Sequence, residues 1–251
     1  MAKRIAKRSA KRLIDQGADF DADNVHTLFD EARWSPLENE ERQTKYRKNI
    51  RPQNKSQSDL MSAIDECPLV FAAGAAGTGK TYVAVAKAVE ALEAGKVRRI
   101  VLSRPAIEAG ESLGFLPGDM EDKLSPYLRP LYDALCDRLS TKRLKALTAE
   151  GVIEIAPIAY MRGRTLNNAF VVIDEAQNCT YAQLKMLLTR LGWHSTMVVT
   201  GDPAQTDLLP EMSGLKTVTD RLEEVPSVRV VRFGKADVVR HPLVAAMIDA
   251  L

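Results

Sequence analysis

Three short stretches hold residue types at spacings that suit phosphate chemistry. The first is Gly74-Ala75-Ala76-Gly77-Thr78-Gly79-Lys80-Thr81, which fills every fixed position of GxxxxGK[ST]. Glycines let the backbone curl and aim successive N–H groups at an anion. A following helix turns its positive N-terminus to the same phosphates. Lys80 can then reach β- and γ-phosphates, and the Thr81 hydroxyl can take a Mg²⁺ position. A glycine-rich strand-to-helix turn without a ligand would share the composition. The apolar run Leu69–Phe71 and the Ala/Val-rich segment after Lys80 complete the phosphate-binding pattern instead.

The second stretch is Asp174-Glu175, directly after the apolar run Phe170–Ile173. An acidic residue ending a buried strand is costly unless it is used. Asp174 would hold Mg²⁺ through its water shell, and Glu175 would orient or deprotonate an attacking water. The third is Val198–Gln205, VVTGDPAQ. Thr200, Asp202 or Gln205 could sense a γ-phosphate; Gln205 suits best, because an amide can bond phosphate and water together. A loose phosphoryl-transfer transition state also asks for positive charge. Arg104, Arg162, Arg164 and Arg240 all follow strands or sit in loops, and each has a plain alternative as a surface ion-pair partner.

These stretches need a scaffold that ends strands beside one another. Strands are expected at 69–73, 99–103, 152–156, 170–174, 196–200 and 228–233, the last at an edge. Helices are expected at 57–66, 80–94, 131–147, 181–191, 215–224 and from 238 onward. The 105–130 segment, rich in Gly and Pro, reads as a long loop. Near-continuous apolar strands alternating with helices predict a mostly parallel sheet covered on both faces. Ligands in such sheets sit at the carboxyl ends of the strands, where the three stretches fall.

Outside this core, residues 1–14 carry six Lys and Arg and no acid. At helical spacing the six cover one half of the surface. That fits a helix on nucleic-acid phosphates or a solvated tail. A second basic stretch runs from Arg42 to Lys55. The division expected is a basic extension over 1–50 and a P-loop domain over 51–251. Net charge is only +2 over 251 residues, so bulk charge does not argue for nucleic acid. Cys67, Cys136 and Cys179 form no CxxC or Cys/His cluster and read as reduced thiols. No apolar run approaches the length of a membrane span. A cytoplasmic location with no membrane partner is the expectation.

The chain resembles the PhoH family over about residues 51–245. The likeness is carried by GAAGTGKTYVAVA (74–86), SRPAIEAGESLGFLPGD (103–119), APIAYMRGRTLNNAFVVIDEAQN (156–178), VVTGDPAQTDL (198–208) and DVVRHPLV (237–244). GAAGTGK stands where GPAGTGK is usual, and GDPAQ where GDLTQ is commoner. The resemblance implies a single RecA-like P-loop ATPase core related to superfamily 1 helicases and thought to act on RNA. It implies ATP and Mg²⁺ as ligands, with Gly74 to Thr81 on the phosphates. It implies Asp174 and Glu175 for metal and hydrolysis, Gln205 as sensor and Arg240 as arginine finger. Arg104, Arg162 and Arg164 look like ligand or subunit contacts. Gln57, seventeen residues before Gly74, resembles the adenine-reading glutamine of helicases.

One lobe alone must take its finger from within or from a neighbour. The expectation is a homo-oligomeric ring, a hexamer, with ATP at subunit interfaces and single-stranded RNA as the polymer acted on. The competing expectation is a nucleotide-dependent assembly module whose ATP cycle controls a protein partner. A small-molecule kinase fits less well, because DEAQ and GDxxQ suit water better than a hydroxyl acceptor.

Overall fold

The computed structural model describes residues 50–105, 120–209, 212–239 and 247, and side chains from 127 onward within the helix that begins at Met120. The basic stretch 1–14, most of the basic run from Arg42, Arg240 and nearly all of the expected final helix lie outside the described residues.

Leu69–Gly74 (β1), Arg99–Arg104 (β2), Ile153–Pro157 (β3), Ala169–Ile173 (β4), Thr196–Gly201 (β5) and Val228–Phe233 (β6) form one sheet. Its order is β3-β2-β4-β5-β1-β6, and every pairing is parallel. Alternation along each strand feeds two cores. Val70, Ala72, Ile100, Leu102, Phe170, Val172 and Val198 face one side. Leu69, Phe71, Val101, Val171, Ile173, Met197 and Val199 face the other. This two-sided burial is why the inner strands read as near-continuous apolar runs. Among the described residues β6 pairs only with β1, and it shows the half-exposed alternation of an edge.

Helices Lys55–Glu66 (α1), Lys80–Glu93 (α2), Met120–Cys136 (α3) and Thr141–Ala149 (α4) pack on the first face. Tyr181–Leu188 (α5) and Leu215–Leu222 (α6) pack on the second. Local capping starts them: Asn54 Oδ1 accepts the Gln57 N–H at 2.8 Å for α1, and Thr180 with Gln183 forms a capping box for α5.

Two expectations need correction. The helix expected over 131–147 is two helices, because Ser140 leaves the helix to cap α4, its Oγ accepting from Arg143 N at 3.2 Å. The 105–130 stretch is not all loop either, since α3 runs from Met120 through Pro126 and Pro130. Pro130 lies on the exposed side, while Leu128, Leu131 and Leu135 are buried. Burial of that apolar stripe outweighs the backbone bonds that proline forgoes.

Candidate nucleotide-binding and hydrolysis site

The loop between β1 and α2 is built by backbone geometry that only glycine accepts. Gly74 has φ +141°, and a Cβ there would stand 2.0 Å from the Phe233 carbonyl oxygen on β6. Gly77 and Gly79 lie in the left-handed region at +79° and +82°. The buried Lys80 amine donates to the carbonyls of Gly74 and Ala75, each at 2.7 Å, and lies 3.4 Å from Thr78 Oγ1. Thr78 Oγ1 in turn donates to Ala75 O at 2.9 Å. Burial lowers the Lys80 pKa, while the charges of Asp202, Glu175 and Asp174 oppose that shift.

The strand order puts β5 between β1 and β4. Thr200 on β5 therefore reaches the end of β4, and its hydroxyl donates to Asp174 Oδ1 at 2.6 Å. Thr81 Oγ1 donates to the same oxygen at 2.6 Å. Arg104, at the end of β2, lies 3.6 Å from Asp174 Oδ2 and 3.5 Å from Glu175 Oε1. It offsets negative charge beside the loop. Glu175 itself holds a left-handed backbone, φ +51° and ψ +41°. A non-glycine residue there stores strain, and such strain clusters at functional sites.

Ala76, Gly77, Gly79, Lys80, Thr81, Asp174, Glu175, Gln177, Asp202 and Gln205 line one cleft of about 300 Å³. The structure thus brings together all three stretches singled out by spacing. An all-oxygen set at Thr81 and Asp174 suits a hard cation such as Mg²⁺. Among the described residues no group of three His, Cys, Asp or Glu could hold a metal. Phosphate oxygens and water would have to complete its shell.

A second cavity, about 310 Å³, opens behind the loop between Ile50, Arg51, Gln57, Gly79, Tyr82 and Val239. Gln57 Nε2 donates to Thr78 O at 3.0 Å, and its Oε1 accepts from Gln53 N at 2.9 Å. Each atom has the capacity for one further hydrogen bond. A third cavity, about 500 Å³, is lined by Arg104, Asp133, Asp137 and Glu175.

The remaining arginines separate. Arg164 forms a fork on Glu154, at 2.5 and 2.6 Å, and lines none of these three cavities. Arg162 is exposed and also lies away from them. Arg240 lies outside the described residues. Spacing passed over Tyr82, Gln177 and Gly201 of the cleft, although Gln177 stands two positions after Glu175 in DEAQ. Its signal was local, but its partners are not.

Among solved structures, the large terminase of a thermophilic bacteriophage aligns with a TM-score of 0.50 at 12% identity, over 79% of this chain and 50% of that one. At that identity the likeness is one of fold, and it fits a RecA-like α/β P-loop architecture. Among the described residues, no helix is long and apolar enough to cross a membrane. A PhoH-like protein of Bacillus subtilis (strain 168) is 53% identical over 204 residues, 81% of this chain and 64% of the relative. Protein PhoH of Escherichia coli (strain K12) is 50% identical over 197 residues, 77% of this chain and 56% of the relative. The chain thus spans less than two thirds of the length of these relatives. The family model described as PhoH-like protein matches residues 49–251. At half identity or better across the segment that folds into the cleft, the chain belongs to the PhoH family.

Proposed function

We propose that this chain binds ATP with Mg²⁺ and hydrolyses it, coupling turnover to single-stranded RNA in a ring with ATP at subunit interfaces. The observation that carries the hydrolytic part is the convergence of Lys80, Thr81, Asp174, Glu175 and Gln205 on one cleft. The loop N–H groups and the α2 N-terminus would take the phosphates. The Lys80 ammonium would exchange its loop carbonyls for phosphate oxygens. Thr81 and Asp174 would hold Mg²⁺, which would supply positive charge to offset that of the phosphates. Glu175 would accept a proton from water as its oxygen attacks the γ-phosphorus and the bond to the β–γ bridging oxygen breaks. Gln205 would orient that water. Gln57 would read adenine from the neighbouring cavity.

RNA is supported by the basic segments at 1–14 and 42–55 and by the exposed side chains of Tyr160 and Arg162 at the end of β3. Aromatic and arginine faces are what single strands stack on. Steady-state ATP hydrolysis with and without single-stranded RNA, at low and moderate salt, tests the reading. Stimulation that fades with salt is expected, because phosphate contacts release counterions. Turnover indifferent to RNA would point to the assembly-module reading, and no turnover would overturn hydrolysis itself.

A further inference from the structure

We propose that Gln177 is a positioning residue that ties the Glu175 carboxylate to the Asp202 end of the sensor segment. The inference rests on the hydrolytic reading above and adds to it a residue and a coupling.

Gln177 is 3% exposed, yet both ends of its amide are engaged. Nε2 donates to Glu175 Oε2. Oε1 accepts the Asp202 backbone N–H at 3.0 Å. An amide can do both at once; a carboxylate of the same shape cannot. Reversing the amide would set oxygen against carboxylate and N–H against N–H, so the network itself fixes its orientation. Space is equally tight: a Cβ at Gly201 would stand 2.8 Å from Gln177 Oε1.

The backbone around Gln177 is bound to the same segment. Its carbonyl accepts from Thr206 Oγ1 at 3.0 Å and Ser213 Oγ at 2.8 Å. Asn178 exchanges bonds with Asp207, donating to Oδ2 at 2.7 Å and accepting from its N–H at 2.8 Å. Gln177 and Asn178 are therefore joined to Asp202, Thr206, Asp207 and Ser213, and Gln205 joins the same segment through its backbone N–H to Asp202 O at 3.0 Å. From that network the Gln177 side chain reaches the Glu175 carboxylate. A shift of Gln205 toward a γ-phosphate is passed through Asp202 N–H and the Gln177 amide to the base. The left-handed backbone at Glu175 is held by its surroundings, and the Gln177 bond acts there beside the Arg104 guanidinium.

The test compares wild type, Gln177→Leu, Gln177→Glu and Glu175→Gln. Each is measured for kcat, KM for ATP, nucleotide Kd and melting temperature. Gln177→Leu removes both bonds without burying a charge, and Gln177→Glu keeps the shape and loses the donor. Both are expected to lose about 100-fold in kcat, as misplacement of a reacting group does. For Gln177→Leu, which adds no charge to the cleft, KM and nucleotide Kd should stay within about threefold, since the phosphate loop is untouched. Wild-type kcat in Gln177→Leu, or equal losses in kcat and nucleotide affinity, would overturn the proposal. A Glu175→Gln variant that turns over like wild type would overturn the underlying role of Glu175 instead. The two failures are therefore told apart within one experiment.

Discussion

Burial lowers the affinity of the Lys80 amine for its proton, against the pull of Asp202, Glu175 and Asp174. A triphosphate adds negative charge beside that amine and favours its protonated form. Nucleotide affinity should therefore fall as pH rises through the depressed Lys80 value, below the ordinary 10.5. Calorimetry at pH about 7 and about 9.5 should show weaker binding and net proton uptake at the higher pH. A flat Kd without proton uptake would count against a phosphate-facing Lys80. Lys80→Ala should lose tight nucleotide binding. Glu175→Gln should keep it while losing hydrolysis by about 100-fold or more; normal turnover in either variant removes the assigned role. Cys179 gives an independent check on the packing beneath the site. Burial pushes its thiol up to about 12, so at neutral pH it should resist alkylation until the protein unfolds. Labelling of Cys179 in the native state at the rate of the exposed Cys136 would contradict that burial.

The elements carry the loop through close approaches that leave little slack. β6 runs so near Gly74 that a methyl group would overlap the Phe233 carbonyl. Gly74→Ala should therefore cost about 3 kcal/mol, from left-handed strain and displacement of the β6 edge together. Thermal unfolding measures it, and an unchanged melting temperature would contradict the contact. Arg164 belongs to this scale and not to the cleft. Its hydrogen bond holds the Glu154 pKa below the ordinary 4.5. The pair's contribution is thus present above 4.5 and lost as pH falls through the lowered value. Arg164→Leu should cost about 1 kcal/mol at neutral pH, a figure discounted for partial exposure. The gap to wild type should shrink on acidification while nucleotide Kd stays unchanged. A raised Kd would return Arg164 to the ligand contacts expected from sequence.

At the scale of the whole molecule, the function proposed above draws an arginine finger from a neighbouring copy. If Arg240 acts across an interface, mixing Arg240→Ala with Glu175→Gln subunits should restore part of the ATPase activity. Mixed interfaces in which the Arg240→Ala subunit supplies the cleft and the Glu175→Gln subunit the arginine would then be intact. Activity that stays at the level of the separate variants would place Arg240 in its own subunit or outside the chemistry. Light scattering with and without nucleotide should show the ring that such sharing requires, and a monomer under both conditions would remove the basis for a shared site.

Much of this protein could be read along the chain because its signals are short and local. Gly74–Thr81 needs only backbone permissiveness, a helix start and two side chains in sequence. Asp174-Glu175 is marked by charge following an apolar run. Two-sided burial favours apolar residues along the inner strands, so they stand out without any partner being known. What composition concealed was decided by packing. Pro126 and Pro130 signal a loop, yet the buried stripe Leu128, Leu131 and Leu135 keeps α3 helical. Leu131–Leu147 scans as one helix, yet a side-chain cap at Ser140 starts another. Arg104 and Arg164 look alike in sequence. Strand order alone sets one against Asp174 and Glu175, while β3 offers Glu154 to the other. Thr200 meets Asp174 because β5 lies between β1 and β4, and Gln177 meets Asp202, 25 residues away in the chain, because the ends of β4 and β5 lie side by side. Types and spacings along the chain determined which chemistry is carried; which side chains share a proton, a charge or a strain was settled only by distances that no local pattern encodes.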